Sequence, residues 1–182
     1  MRNLTCLFFA LFLMAGFAHS AETVVLEKPK VIADSLPWFA VREINDANSP
    51  FTRTFLEKIA VTSERTALVY FATWCAPCKD GIKRLVKSKE LLAEKGIQVV
   101  LVNVGVREQD EKKIVQWVKQ MGADGFKLVY DPFKSMTEKF GLTSKDGEIA
   151  LPKTLLLDKN AKPLYLFGQE GSDWPQILWN RK

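Results

Sequence analysis

Short unbroken apolar runs alternate along this chain with stretches whose apolar residues recur every third or fourth position. The runs read as strands buried on both faces, and the recurring stretches as amphipathic helices. "LPWFAVREI" (36–44) reads as a first extended segment. "SPFTRTFLEKIA" (49–60) reads as a helix, with Ser49 as cap, Pro50 in the first turn, and Phe51, Phe55 and Ile59 at helical spacing. "TALVYFAT" (66–73) is a buried strand. Residues 75–95 read as one helix with apolar positions Ile82, Leu85, Val86 and Leu92, stopped at "EKG" (94–96).

"IQVVLVNVG" (97–105) is the next buried strand. "EQDEKKIVQWVKQMG" (108–122) is an amphipathic helix, acidic at its start, with Ile114, Trp117, Val118 and Met121 on its apolar face. "FKLVYD" (126–131) is a strand, and "DPFKSMTEKFG" (131–141) a short helix capped by Asp131 with Pro132 first and Gly141 as stop. A polar loop follows. "KTLLLD" and "PLYLFGQ" around the turn "KNAK" form a hairpin, and "DWPQILWNRK" a final helix. The predicted order is βαβαβαβαββα. Alternation of this kind specifies an α/β fold, and the closing hairpin makes the sheet mixed. No repeat or low-complexity segment interrupts it.

The first twenty residues stand apart. Arg2, an apolar core from Leu4 to Phe17, and the small residues Ala18 and Ser20 form a secretory signal peptide, with cleavage expected after Ser20. The alternative is an uncleaved anchor, for which the run is short against the roughly 20 residues of a span. Cys6 would leave with the signal. Residues 21–35 are then a loosely held N-terminal arm, and residues 36–182 a single domain. The product is expected outside the cytoplasm. The formal net charge is +5 and falls by one when Arg2 is lost. That is mild and spread out, and with the secreted location it argues against nucleic acid.

Composition narrows the chemistry further. The one histidine, His19, lies in the signal, so the mature chain has none. Ser-His-Asp and Cys-His catalysis and histidine metal ligands are excluded. Two cysteines remain, in "WCAPC" (74–78), where a buried strand turns into a helix. Cys75 falls in the first helical turn, where free N–H groups and the dipole favour a thiolate. Cys78 is one turn along, within reach of a disulfide, and Pro77 stiffens the small ring. A zinc site would need more ligands than one CxxC provides. A structural staple remains open, but so short a loop restrains little of the unfolded chain. The physical argument favours a redox pair: one thiolate attacks and the second thiol resolves.

"VYFATWCAPCK" resembles the active-site segment of the thioredoxin superfamily, and is most similar to extracytoplasmic proteins of the TlpA/ResA type, which include the cytochrome c maturation reductases. "ALPKTLLLD" matches the superfamily's cis-proline segment, with Pro152 as that proline and Leu151 before it. The long interval between Cys78 and Pro152 leaves room for the helix and strand this type inserts. The resemblance covers about Leu36 to Gly168. It implies a thioredoxin fold with a mixed central sheet, flanking helices, and an inserted helix–strand between the active-site helix and the cis-proline. It implies Cys75 and Cys78 as the catalytic pair, and Trp74, Ala76, Pro77, Leu151 and Pro152 as the substrate groove.

Two departures mark this chain. The superfamily's buried aspartate, six residues before the first cysteine, is Val69 here. The glutamate that some members carry three residues after the second is Gly81. Asp80 is the neighbouring carboxylate, turned by about 100° on the helix, and is the candidate proton relay. Lys79, Lys83, Arg84, Lys87 and Lys89 crowd the same helix and read as a solvated face, with Lys79 able to help hold a thiolate. Trp38, Trp117, Trp174 and Trp179 read as core or cap residues.

The expected activity is thiol–disulfide exchange on protein thiols and disulfides, with reduction favoured because Ala76-Pro77 supplies no imidazole to over-stabilise the thiolate. The resemblance suggests a membrane thiol shuttle as electron donor, and apocytochrome c or a copper-site assembly protein as target. No cofactor or metal is expected, and a monomer is. The rivals are a disulfide oxidase or isomerase, and a thioredoxin-like binding module or chaperone without turnover. A thiol peroxidase is weaker, because Thr73 is too close to Cys75 for that family's threonine.

Overall fold

The computed structural model describes residues 26–27, 38–44, 52–55, 63–105, 110–167 and 174–180. The expected signal segment and most of the expected N-terminal arm lie outside them. The elements are β1 (Leu26–Glu27), β2 (Trp38–Glu43), β3 (Thr52–Phe55), β4 (Arg65–Phe71), α1 (Ala76–Lys87), α2 (Lys89–Glu94), β5 (Ile97–Asn103), α3 (Glu111–Gln120), β6 (Lys127–Tyr130), α4 (Ser135–Lys139), β7 (Lys153–Asp158), β8 (Pro163–Phe167) and α5 (Trp174–Asn180). The described strands form one mixed sheet in the order β1-β8-β7-β4-β5-β6-β2-β3. β4, β5 and β6 are parallel, and β7, β8, β2, β3 and β1 run antiparallel to their neighbours. Between α2 and the proline before β7 lie β5, α3, β6 and α4, so the inserted elements of the expected fold are present.

The unbroken apolar runs took the centre. Ala67 to Phe71 of β4 and Leu101 and Val102 of β5 are buried, as are Leu155 to Leu157 of β7. A strand flanked on both edges and covered on both faces has no polar side to show, which is why these runs do not alternate. Phe71 carries the sheet into the helical layer: its ring stacks on Trp117 of α3 at 5.5 Å between centroids. At the far end, Trp174 and Leu178 of α5 are buried, and Arg65 Nη1 donates to the Leu178 carbonyl at 3.1 Å. Trp117 and Trp179 are partly buried against the core; the Trp38 side chain lies outside the described set.

Four expectations are corrected. The helix expected over 49–60 contains β3 instead, paired antiparallel with β2 from Trp38↔Phe55 to Val41↔Thr52. Thr52 and Thr54 are β-branched, and pairing with an adjacent strand outweighs the helical spacing of the phenylalanines. Of the loosely held arm, Leu26–Glu27 pairs with Phe167 and Leu166, covering what would be an open edge of β8. The single helix over 75–95 is two. Ser88 (φ −101°, ψ 8°) ends α1, its N–H donating to Arg84 and Leu85, and its carbonyl starts α2 by accepting from Leu92. The short helix after β6 starts at Ser135 rather than at Pro132, because Lys134 adopts a left-handed conformation (φ 53°) just before it.

Candidate active site

The registers Phe71↔Asn103 and Asn103↔Tyr130 bring the C-terminal ends of β4, β5 and β6 level. β7 enters beside them, with Lys153 opposite Tyr70. The segments leaving β4, β5 and β6 and the one entering β7 therefore meet along one edge of the sheet. This is where open α/β sheets build their sites.

The β4 segment supplies the cysteines. The Cys75 N–H donates to the Ala72 carbonyl at 3.1 Å, closing the turn off the strand. Cys75 is then the N-cap of α1 in extended conformation (φ −82°, ψ 103°), one place outside the first turn expected for it. The cap position changes the sulfur's role. Cys75 Sγ accepts the Cys78 N–H at 3.2 Å, as a serine or aspartate oxygen does at an ordinary cap. Pro77 occupies the first turn, where a missing N–H costs nothing. Cys75 and Cys78 are joined in a disulfide with Cα atoms 5.3 Å apart. Cys78 is 1% exposed and lies on the core face of α1 with Ile82 and Leu85; Cys75 is 4% exposed.

Around the disulfide, Trp74 is 52% exposed, and Ala76 and Pro77 are exposed. Leu151 is half-buried, Pro152 is buried, and the bond between them is cis. Pro152 directly precedes the Lys153–Tyr70 pair, so the register sets it beside the end of β4. Asp80 is exposed on α1. Val69 and Gly81, the positions that hold carboxylates in many superfamily members, are buried.

Two further residues shape this edge without having been singled out for it in the sequence. Gly105, at φ +67°, follows β5, and a Cβ there would lie 2.7 Å from Pro132 Cα. Only glycine fits both the conformation and the space. Gly105→Ala is expected to cost about 2–4 kcal/mol, read as a lower urea midpoint with unchanged slope; wild-type stability would refute the tight approach. Phe133, in the turn after β6, is 67% exposed. A phenylalanine inside a Pro-containing turn was the one available signal.

The turn is held by Asp131, which is buried. Its Oδ1 accepts from the Ser135 N–H at 2.8 Å and the Ser135 hydroxyl at 2.9 Å. Its Oδ2 accepts from the Met136 N–H at 3.0 Å, the Thr137 N–H at 3.3 Å and the Thr137 hydroxyl at 3.1 Å. Burial pushes its pKa up, and the bonds from Ser135 and Thr137 pull against that rise. Burial also holds the Tyr70 hydroxyl well above its ordinary pKa, with the Asp131 charge adding to the effect. Tyr70 is neutral at any working pH. Two clefts, of about 430 and 650 Å³, both touch Ile97 and Gln98 at the start of β5, the end of the sheet away from the cysteines.

A mixed α/β sheet of this topology with a CxxC disulfide at a helix N-cap and a cis-proline alongside defines a thioredoxin-fold thiol–disulfide oxidoreductase. The chain belongs to the AhpC/TSA family, whose model matches residues 33–162. It is 28% identical over 164 residues to the thiol:disulfide interchange protein DsbE of Yersinia pestis, covering 88% of this chain and 77% of that one. Among solved structures it is similar to a secreted thiol-disulfide isomerase from Corynebacterium glutamicum (TM-score 0.62, 20% identity, 84% of this chain and 90% of that one). It is equally similar to peroxidoxin BcpB from Mycobacterium tuberculosis (TM-score 0.62, 14% identity, 81% and 92%). At those identities the two structures speak for the fold alone.

Proposed function

We propose that this protein reduces disulfides of other proteins outside the cytoplasm, in the periplasm, after loss of residues 1–20. Cys75 attacks as a thiolate. It forms a mixed disulfide with one partner sulfur and releases the other as a thiolate. Cys78 then displaces the partner, so two electrons pass to the partner and the Cys75–Cys78 disulfide forms. Trp74, Ala76, Pro77, Leu151 and Pro152 form the surface against which the partner segment lies, and the Leu151 backbone pairs with it. A membrane thiol protein recharges the pair. The targets are disulfides of apocytochrome c or of a copper-site assembly protein, as the resemblance to the TlpA/ResA type suggests. The protein acts as a monomer.

One observation carries the reductase direction. Among the described residues, the Cys75 sulfur takes a single hydrogen bond, from the Cys78 N–H, and Ala76-Pro77 adds neither imidazole nor charge. With only this N–H and the helix N-terminus to hold a Cys75 thiolate, the reduced form lacks the further stabilisation that makes a strong oxidant. The test is the reduction potential of the pair in glutathione or dithiothreitol buffers, read by thiol alkylation. A value near that of thioredoxin, about −270 mV, is expected. A value near the about −120 mV of DsbA overturns the reductase reading in favour of disulfide formation.

A further inference from the structure

The helix that carries the cysteines also carries a row of cations. Lys79, Lys83 and Lys87 of α1 stand at i, i+4 and i+8, and all three are exposed. The row covers about 12 Å of helix and starts at the residue after Cys78. Among the described residues none of the three ammonium groups has an ion pair or hydrogen bond. With half-buried Arg84 the helix holds four cations against one carboxylate, the exposed Asp80, which likewise has no ion pair or hydrogen bond among the described residues.

Helix electrostatics explains only two of these four cations. Arg84 and Lys87 lie in the last turn, where the carbonyl end of the helix favours cations. Lys79 and Lys83 have no such reason. The first turn of α1 holds no acidic residue, and Lys79 follows it at the positive end of the dipole, where a cation is unfavourable. A local rule broken beside a reactive site is where function is expected to set the sequence.

We propose that this row is a docking strip for the protein that exchanges with Cys75–Cys78, and that this partner carries carboxylates beside its own reactive sulfurs. The proposal rests on the exchange reading above. It favours a protein over an anionic membrane because the row begins one residue from the disulfide: whatever covers the strip is also at Cys75, and a partner with a sulfur to exchange must be there. Unpaired charges within about 10 Å of each other act together at moderate ionic strength. They raise the rate of encounter more than the final affinity.

The test uses the reduced full-length protein and two peptides with the same internal disulfide, one flanked by glutamates and one by glutamines. At low salt the glutamate peptide is expected to be reduced about tenfold faster, with the gap closing near about 0.5 M NaCl. In a Lys83→Glu, Lys87→Glu variant the preference disappears or inverts while the glutamine-peptide rate stays at the wild-type value. The two substitutions lie about one and a half and two and a half turns from Cys78, so the thiols themselves are left alone. Equal rates for the two peptides at low salt, or a preference that survives charge reversal, overturn the docking strip while leaving exchange intact. Exchange with neither peptide overturns the reductase reading and the strip with it. Equal peptide rates together with loss of binding to phosphatidylserine vesicles in the variant assign the row to a lipid surface, and overturn the proposal as well.

Discussion

Cys75→Ser is expected to bring disulfide exchange down to the uncatalysed background, whereas Cys78→Ser is expected to stop the reaction halfway. The two sulfurs differ in their surroundings. Cys75 is the cap of α1, next to exposed Trp74, and its sulfur already accepts the Cys78 N–H. A thiolate there gains that hydrogen bond and the positive end of the helix. Cys78 is inside the helix with 1% exposure, on the core face of α1 with Ile82 and Leu85, where a charged sulfur is disfavoured. This difference supports the proposed roles, in which Cys75 attacks a partner and Cys78 displaces one already attached. The measurement is capture: the Cys78→Ser variant, incubated with an extract of its own compartment, should yield non-reducing bands that reductant removes, and the Cys75→Ser variant should yield none. The reverse pattern would exchange the two roles. Absence of bands from both variants, with turnover also absent in wild type, would favour a groove that binds without chemistry.

Most of this site could be read along the chain because its parts are local. The turn from strand to helix, the two cysteines and Pro77 are contiguous, and the physics of a helix N-terminus needs no distant partner. Pro152 is 74 positions beyond Cys78, and only the family likeness joined them; the pairing of β4 with β7 does so physically. Periodicity found β4, β5 and β7 because central strands are buried on both faces and leave unbroken runs. It failed over 49–60 because Phe51, Phe55 and Ile59 fit one face of a helix, while the pairing of β2 with Thr52–Phe55 is a tertiary fact. The break at Ser88 carried no Gly or Pro to announce it. Gly105 and Phe133 were not seen as site residues because the registers of three strands, not any spacing, bring their loops to the cysteines' edge.

The spacing in "DPFKSMTEKFG" marks Asp131 as a helix cap, and the structure makes it much more than that. Five hydrogen bonds end on its carboxylate, and the turn it holds presses Pro132 against Gly105. Asp131→Ala leaves the buried Met136 and Thr137 N–H groups without that acceptor, and is expected to cost about 2–4 kcal/mol, or roughly 5–15 °C in Tm. A loss within about 0.5 kcal/mol would mean that water or a rearranged turn takes over the bonds. The charge has its own signature. Burial raises the Asp131 pKa in the folded protein, so the native state keeps a proton that the unfolded chain has already released. Between those two pKa values stability falls as pH rises, and outside them the Asp131 contribution is level. Asp131→Asn cannot titrate and lacks this step. Urea unfolding of both proteins from about pH 4 to pH 8 should show the wild type losing ground to the asparagine variant with rising pH, then running parallel to it. A wild type that instead gains on the variant over the acidic part of that range would mean that the five hydrogen bonds outweigh burial, and that Asp131 is a stabilised anion.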